Sequence, residues 1–231
     1  MKTAIAAAAP LLLFLALAAM AGAVTFDATN TVPDSAGGQR FDQDVGVDYA
    51  KQVLSEASSF IWTTFNQPNP EDRRDYDSVT LAVVDNIEPV AQTSGNAIQL
   101  RAQYVAGFDE GDVKKEVKGV LYHEATHVWQ WNGQGRANGG LIEGIADYVR
   151  LKADLAPTHW RPQGSGDRWD EGYDVTAKFL DYCDSLKAGF VAEMNSKLKD
   201  GYSDDYFVQI LGKSVDQLWN DYKAKYPQPQ G

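Results

Sequence analysis

Two histidines and a glutamate near the middle of the chain have the types and spacing that metal chemistry requires. His123, Glu124 and His127 form an H-E-x-x-H sequence in a chain that contains only 3 His. In a helix, positions i and i+4 lie one above the other, so two imidazoles on that face can share one Zn²⁺. Glu124 lies about 100° further round the helix, where it can contact a water beside the metal. The motif therefore predicts two metal ligands and one general base.

The residues that precede the motif predict the helix that carries it. Val113, Val117 and Val120 recur at helical spacing with charged residues between them. Asp112 is a candidate N-cap, and Gly133 is a candidate stop beyond the last turn. We therefore expect a helix of about five turns that presents both histidines on one face.

The segment after this helix offers the third ligand that a catalytic zinc site needs. A second helix is predicted over residues 140–152, after a loop whose glycines let the chain fold back. Glu143 and Asp147 in this helix are again spaced i, i+4. We expect Glu143 to be the third ligand and Asp147 to accept a hydrogen bond from the imidazole of His123. His159 and Asp147 itself remain alternatives for the third ligand.

Three stretches of the sequence resemble one known family. The first begins at His123 and reads HEATHVWQWNGQGRANGGLIEGIADYVRLKA, and the second begins at Trp169 and reads WDEGYDVTAKFLDYCDSL. The third is Val24-Thr-Phe-Asp-Ala-Thr-Asn, so the likeness covers nearly all of the chain after residue 23. Together they resemble the plant basic secretory protein family, also described as a peptidase family of plants and bacteria. The resemblance implies a secreted, defence-associated, zinc-dependent peptidase of zincin fold, whose motif positions map onto His123, Glu124, His127, Glu143 and Asp147.

The motif, together with what the resemblance implies, predicts a secreted zinc endopeptidase that acts on protein or peptide substrates in the plant apoplast. Glu124 is expected to act as general base on the water that attacks the peptide carbonyl. The oxyanion that develops needs a further donor. Tyr173 is the first candidate for that donor, followed by His159 and Tyr148. The alternative function is a non-catalytic defence protein that binds microbial wall carbohydrate or uses a metal only structurally.

The composition of the chain limits which binding partners and which cellular compartment are expected. The chain carries 32 acidic against 21 basic residues, a formal net charge of −11, so nucleic acid and anionic membranes are not expected partners. This charge also departs from the word "basic" in the family name. Residues 1–23 have the features of a cleaved signal peptide, with Lys2 before an apolar run and small residues before Val24. The one cysteine, Cys183, allows no internal disulfide, and we expect a buried thiol and a monomer.

The remaining patterns predict an α+β fold of zincin type, with a small N-terminal sheet and a mainly helical C-terminal part. The expected N-terminal elements are a strand over 24–28, a helix over 44–65, and strands over 78–84 and 97–105. The expected C-terminal helices lie near 172–187 and 189–199, after Ser203, and after the capping box that starts at Ser214. We expect subdomains of about 24–132 and 133–231 with the active-site cleft between them. The strand at 97–105, or its neighbour, is expected to border that cleft and to accept an extended peptide.

Overall fold

The computed structural model describes residues 24–228. Four strands in this part of the chain form one sheet, β1 (Thr25–Asn30), β2 (Ser78–Val84), β3 (Ala91–Ser94) and β4 (Ala97–Arg101). Their order is β1-β2-β4-β3. β1, β2 and β4 run parallel, whereas β3 is antiparallel to β4 and lies at the edge of the sheet.

Helices precede, interrupt and follow the sheet. Within the described residues they are α1 (Ala36–Asp44), α2 (Val47–Thr64), α3 (Ala102–Gly107), α4 (Val113–Trp129), α5 (Gly139–Lys152), α6 (Tyr173–Leu186), α7 (Phe190–Lys197), α8 (Asp205–Leu211) and α9 (Val215–Lys225), with a single 3₁₀ turn at Pro70–Asp72. The small sheet lies in the N-terminal half, and the C-terminal half is helical. The predicted α+β class is therefore confirmed.

Helix α4 is the central element of the fold, because nearly all of its side chains are buried. It packs against α2, α5 and β3. Its first turn is capped as predicted, since the carboxylate of Asp112 accepts hydrogen bonds from the backbone N–H groups of Lys114 and Lys115 at 2.9 and 3.2 Å. The helix ends at Trp129, earlier than a stop at Gly133 suggests.

Helix α5 is held against α6 by contacts that leave no room for larger side chains. A Cβ at Gly140 would collide with the backbone of Asp170, and a Cβ at Gly144 would collide with the side chain of Thr176. The hydroxyl of Thr176 also donates to the backbone oxygen of Trp169 at 2.7 Å, which ties the incoming loop to the same helix. These contacts fix α5 relative to the helical C-terminal half and so determine where its acidic side chains lie.

Some N-terminal elements differ from the prediction. The helix expected over 44–65 begins at Val47, after Gly46 with φ of +81°, and α1 precedes it as a separate helix. The strand expected over 97–105 ends at Arg101, where the chain continues as α3. In both places the apolar pattern continues across the break, so periodicity alone misplaces it. β4 lies between β2 and the edge strand β3, which is short and polar and gives no clear strand pattern.

The remaining sequence predictions concern the N-terminal leader and the single cysteine. The leader predicted at residues 1–23 lies outside the described residues. Cys183 is buried, as expected, and burial raises the pKa of its thiol. From residue 24 to residue 228, no helix has the length and apolar character needed to cross a membrane.

Candidate active site

The motif histidines and one acidic residue of α5 bring three donor atoms together. The Nε2 atoms of His123 and His127 are 3.0 Å apart. An Oε2 atom of Glu143 lies 3.2 Å from the first of these nitrogens and 3.5 Å from the second. The two histidines share one face of α4, as the i, i+4 spacing predicts, and α5 crosses that face to deliver the carboxylate. These three residues could hold a metal ion.

The size of this triangle suits zinc. With Zn–N and Zn–O bonds of about 2.0–2.1 Å, neighbouring ligand atoms of a tetrahedral site lie roughly 3.3–3.4 Å apart. The three observed separations, 3.0, 3.2 and 3.5 Å, bracket that value. Two imidazole nitrogens that face each other at 3.0 Å also need a proton or a cation between them. Two nitrogens and one carboxylate oxygen are ligands that zinc accepts.

The electrostatics of the triangle also favour a bound cation. Burial by itself would lower the pKa of His123, but its hydrogen bonds with Asp147 and Glu143 raise that pKa to about 10. Burial would raise the pKa of Glu143, but hydrogen bonds with His123 and His127 hold it well below its usual value. The same carboxylates that stabilise a proton on the imidazole would stabilise a positive metal ion in its place.

Asp147 occupies the position expected of a group that orients a ligand. Its Oδ1 atom lies 2.7 Å from Nδ1 of His123, and the residue is only 3% exposed. This contact fixes the ring so that Nε2 points towards Glu143. His159, the other alternative for third ligand, is exposed and lies 3.2 Å from Glu110 through its Nδ1 atom. His159 is therefore a residue of the cleft wall and not a member of the triangle.

Gln130 supports the second histidine, although the sequence analysis did not predict this contact. Its side-chain Nε2 lies 2.6 Å from Nδ1 of His127, and the residue is 2% exposed. The Oε1 atom of the same amide is buried without a hydrogen-bond partner. Rotation of the amide by 180° places that oxygen against Nδ1, where it accepts a hydrogen bond from the Nδ1–H group of a His127 ring whose Nε2 would bind a metal. Only its i+3 spacing from His127 could have indicated this role.

Glu124 lies beside the triangle and is held by the edge strand. The hydroxyl of Thr93 on β3 donates to Oε2 of Glu124 at 2.6 Å. Glu124 is only 5% exposed, so its carboxylate has a fixed direction within the cleft. Thr93 was not predicted, because a contact between β3 and α4 depends on the folded chain.

Tyr173, the first candidate for the oxyanion donor, lies at the mouth of the site. Its ring is nearly parallel to that of His123, with centroids 6.0 Å apart, and it is 54% exposed. Its backbone has φ of +45°, which is uncommon for a residue other than glycine and is frequent at functional sites. Burial and the nearby carboxylates of Glu143, Asp147 and Glu124 raise the pKa of its phenol, so it stays a neutral donor. Tyr148 is buried and does not line the cleft.

These residues open into a cleft of about 960 Å³. Its walls come from β3, α4 and α5, together with Tyr173 and the segment 159–161. A cleft of this volume accommodates several residues of an extended peptide.

Comparison with known proteins assigns the family. The family described as "Peptidase of plants and bacteria" (BSP) matches residues 21–222. The chain belongs to this family. The resemblance carried by the H-E-x-x-H helix and the following helix is thereby confirmed, and the BSP match includes every candidate site residue.

One relative shares a shorter stretch with this BSP chain. It is named "Basic secretory protease", comes from Boswellia serrata, and is 52% identical over 58 residues. The match covers 25% of this chain and 66% of the relative. No solved structure matches the chain.

Proposed function

We propose that this protein is a secreted, zinc-dependent endopeptidase. The observation that carries the proposal is the triangle of His123, His127 and Glu143, with Glu124 beside it in an open cleft. Membership of a peptidase family makes protein or peptide the substrate class. Three donors, and not four, belong to the group within residues 24–228, which suits a catalytic site better than a closed structural one.

The residues of the triangle would hold the ion, and their partners would keep them aligned. A bound zinc ion supplies a Lewis acid that polarises a carbonyl and increases the acidity of water. Asp147 keeps the ring of His123 turned so that Nε2 is the free donor, and Gln130 does the same for His127. The carboxylate of Glu143 completes the group from α5.

Glu124 would transfer the proton during hydrolysis. Its carboxylate takes a proton from the water that attacks the carbonyl carbon, and returns it to the nitrogen of the leaving amine. The C–N bond breaks, and the products are a carboxylate and a free amine. Because the hydroxyl of Thr93 is bound to Oε2, the other oxygen of Glu124 is left to receive the proton.

Tyr173 would stabilise the charge that develops on the carbonyl oxygen. Its phenol stands at the mouth of the site, beside His123, and its raised pKa keeps the proton on it at neutral pH. A donor aimed at that oxygen contributes to the transition state more than to the bound substrate.

The edge strand would align the substrate. β3 pairs with β4 on one side only, and its residues 91–93 line the cleft. An extended peptide can add to such an edge through main-chain hydrogen bonds. The contact between Thr93 and Glu124 would bring the general base next to that peptide.

The proposal also covers where the protein acts and its biological role. The signal-peptide features of residues 1–23 and the printed name of the relative, "Basic secretory protease", support secretion. We propose a monomer that acts in the apoplast and contributes to plant defence.

The test is a metal analysis together with digestion of a peptide library. One zinc per chain, and cleavage that a chelator abolishes and zinc restores, is the expected result. Glu124→Gln should retain the zinc and lose about 10²- to 10⁴-fold in kcat, because only the proton transfer is removed. A protein that binds no zinc, or a Glu124→Gln variant with full activity, would contradict the proposal.

A further inference from the structure

Most charged side chains that line the cleft already have a partner of opposite charge. Arg150 pairs with Glu116 at 2.8 Å, and Arg161 pairs with Asp174 at 2.7 Å. Arg74 is the cleft-lining guanidinium for which no carboxylate of the described residues lies within 4.0 Å. In a chain with 32 acidic residues, such a guanidinium has a charge available for a ligand.

Arg74 is held in place by neutral groups. Its Nη2 donates to the hydroxyl of Tyr76 at 2.9 Å, and its Nη1 lies 3.5 Å from the backbone oxygen of His127. The guanidinium carbon also lies 5.0 Å from the centroid of the Tyr76 ring. These contacts hold the side chain at the cleft wall without neutralising its charge, so it is prepared to bind an anion at little further cost in conformational entropy.

Arg74 lies near the path that a peptide bound along β3 would follow. The Tyr76 hydroxyl that Arg74 contacts lies 3.7 Å from the position of a Cβ on Gly95. Gly95 follows β3 and lies two residues beyond Thr93, which holds Glu124. A peptide strand added to β3 rises about 3.3 Å per residue. A side chain of that peptide beside Arg74 would therefore lie about two residues from the scissile bond, where Glu124 acts.

We propose that Arg74 forms a subsite for an acidic side chain of the substrate, about two residues from the scissile bond. This inference rests on the proposed peptidase function and adds the substrate class. A guanidinium matches a carboxylate with two parallel N–H···O bonds, and charge-assisted bonds of this kind are stronger than neutral ones. The amides of Gln92 and Asn132, which also line this cleft, add neutral hydrogen-bonding groups.

The experiment compares matched peptides that differ only by Glu or Gln at one position. Each of three positions on either side of the cleaved bond is tested, and kcat/KM is measured. We expect Glu to be preferred over Gln by about fivefold to fiftyfold at one position about two residues from the bond. Arg74→Gln should bring this ratio close to one, and Arg74→Lys should keep part of it because the charge remains.

The matched control is Arg136→Gln, which removes the same charge from an exposed arginine outside the cleft. This variant should keep the wild-type ratio, and thermal unfolding of all variants checks that they fold. A wild-type ratio near one at every position would overturn the inference. A preference that persists in Arg74→Gln would do the same.

Binding to the Glu124→Gln protein separates this inference from the proposed function. The same peptide pairs are titrated into this variant, with and without Arg74→Gln, and the Kd values are compared. Tighter binding of the Glu peptide that depends on Arg74 supports the subsite even if the wild-type protein cleaves nothing. Equal binding of both peptides, together with normal cleavage by the wild type, would leave the peptidase standing and remove the subsite.

Discussion

Replacement of Asp147 measures how much the buried carboxylate behind His123 contributes to metal binding. It lies 2.7 Å from the ring nitrogen that faces away from the metal position. Asp147→Asn keeps a neutral acceptor of the same shape, whereas Asp147→Leu removes the acceptor. Both variants leave the three proposed ligands in place, so the change in zinc affinity reports on the carboxylate behind His123, through its hydrogen bond and its charge.

The structure sets the size of the expected effect. Loss of a partner behind a ligand histidine lowers metal affinity about 10- to 100-fold, which corresponds to about 1.4–2.8 kcal/mol. Because Asp147 is 3% exposed, solvent screens its interaction with the imidazole only weakly. A charge-assisted hydrogen bond is roughly twice as strong as a neutral one. We therefore expect about a tenfold loss for Asp147→Asn and a loss closer to a hundredfold for Asp147→Leu.

The assay is competition for zinc against a chromophoric chelator at fixed pH. As a second readout, the rise in Tm on addition of zinc should shrink, since stabilisation by a ligand follows its Kd. The control is Asp181→Asn, which removes an acidic charge from the partly exposed pair between Asp181 and Lys152. Affinities for Asp147→Asn and Asp147→Leu within about twofold of the wild type would refute the reasoning, since the expected loss is at least about tenfold. So would an equal loss in Asp181→Asn, because the effect would then be one of overall charge.

Three further predictions concern neighbouring residues. Thr93→Val removes the hydroxyl that holds Glu124, so kcat should fall about tenfold while zinc affinity, measured by the same competition, stays within about twofold. Glu116→Gln breaks the buried pair with Arg150 and should lower the free energy of unfolding in urea by about 3 kcal/mol; an unchanged midpoint would contradict this. Burial would raise the pKa of Asp174, but its hydrogen bonds with Arg161 hold that pKa below its usual value. The pair therefore stabilises the fold above pH ~4, and this stabilisation is lost as the pH falls further. Asp174→Asn should therefore flatten the decline of Tm below pH ~4, and a decline as steep as in the wild type would exclude this origin.

The parts of the site that the sequence predicted are those set by spacing within one helix. His123 and His127 share a face because they are one turn apart, and Asp112 caps their helix because its carboxylate reaches the first free N–H groups. Glu143 and Asp147 follow the same rule on α5, and the short loop before α5 favours its return across α4. Local chemistry of this kind needs no knowledge of the rest of the fold.

The parts that could not be predicted depend on contacts between distant segments. Thr93 reaches Glu124 only because β3 packs against α4, and Arg74 enters the cleft from a loop that no pattern connects with the motif. The residues next to Gln130 in the sequence are of the types found at the end of any buried helix, so they do not indicate its contact with His127. β3 itself is a strand through its pairing with β4, since Ala91-Gln-Thr-Ser has weak strand propensity of its own.

The order of the strands also determines how this chain can fold. β3 and β4 are joined by a tight turn at Gly95 and Asn96, so this hairpin can form from local sequence. β1 pairs with β2 in a register that sets Thr25 opposite Ser78, and both α1 and α2 lie between them in the chain. Such distant parallel pairings form slowly. As long as β1 and β2 are unpaired, β2 presents an apolar edge whose free N–H and C=O groups can pair with another chain.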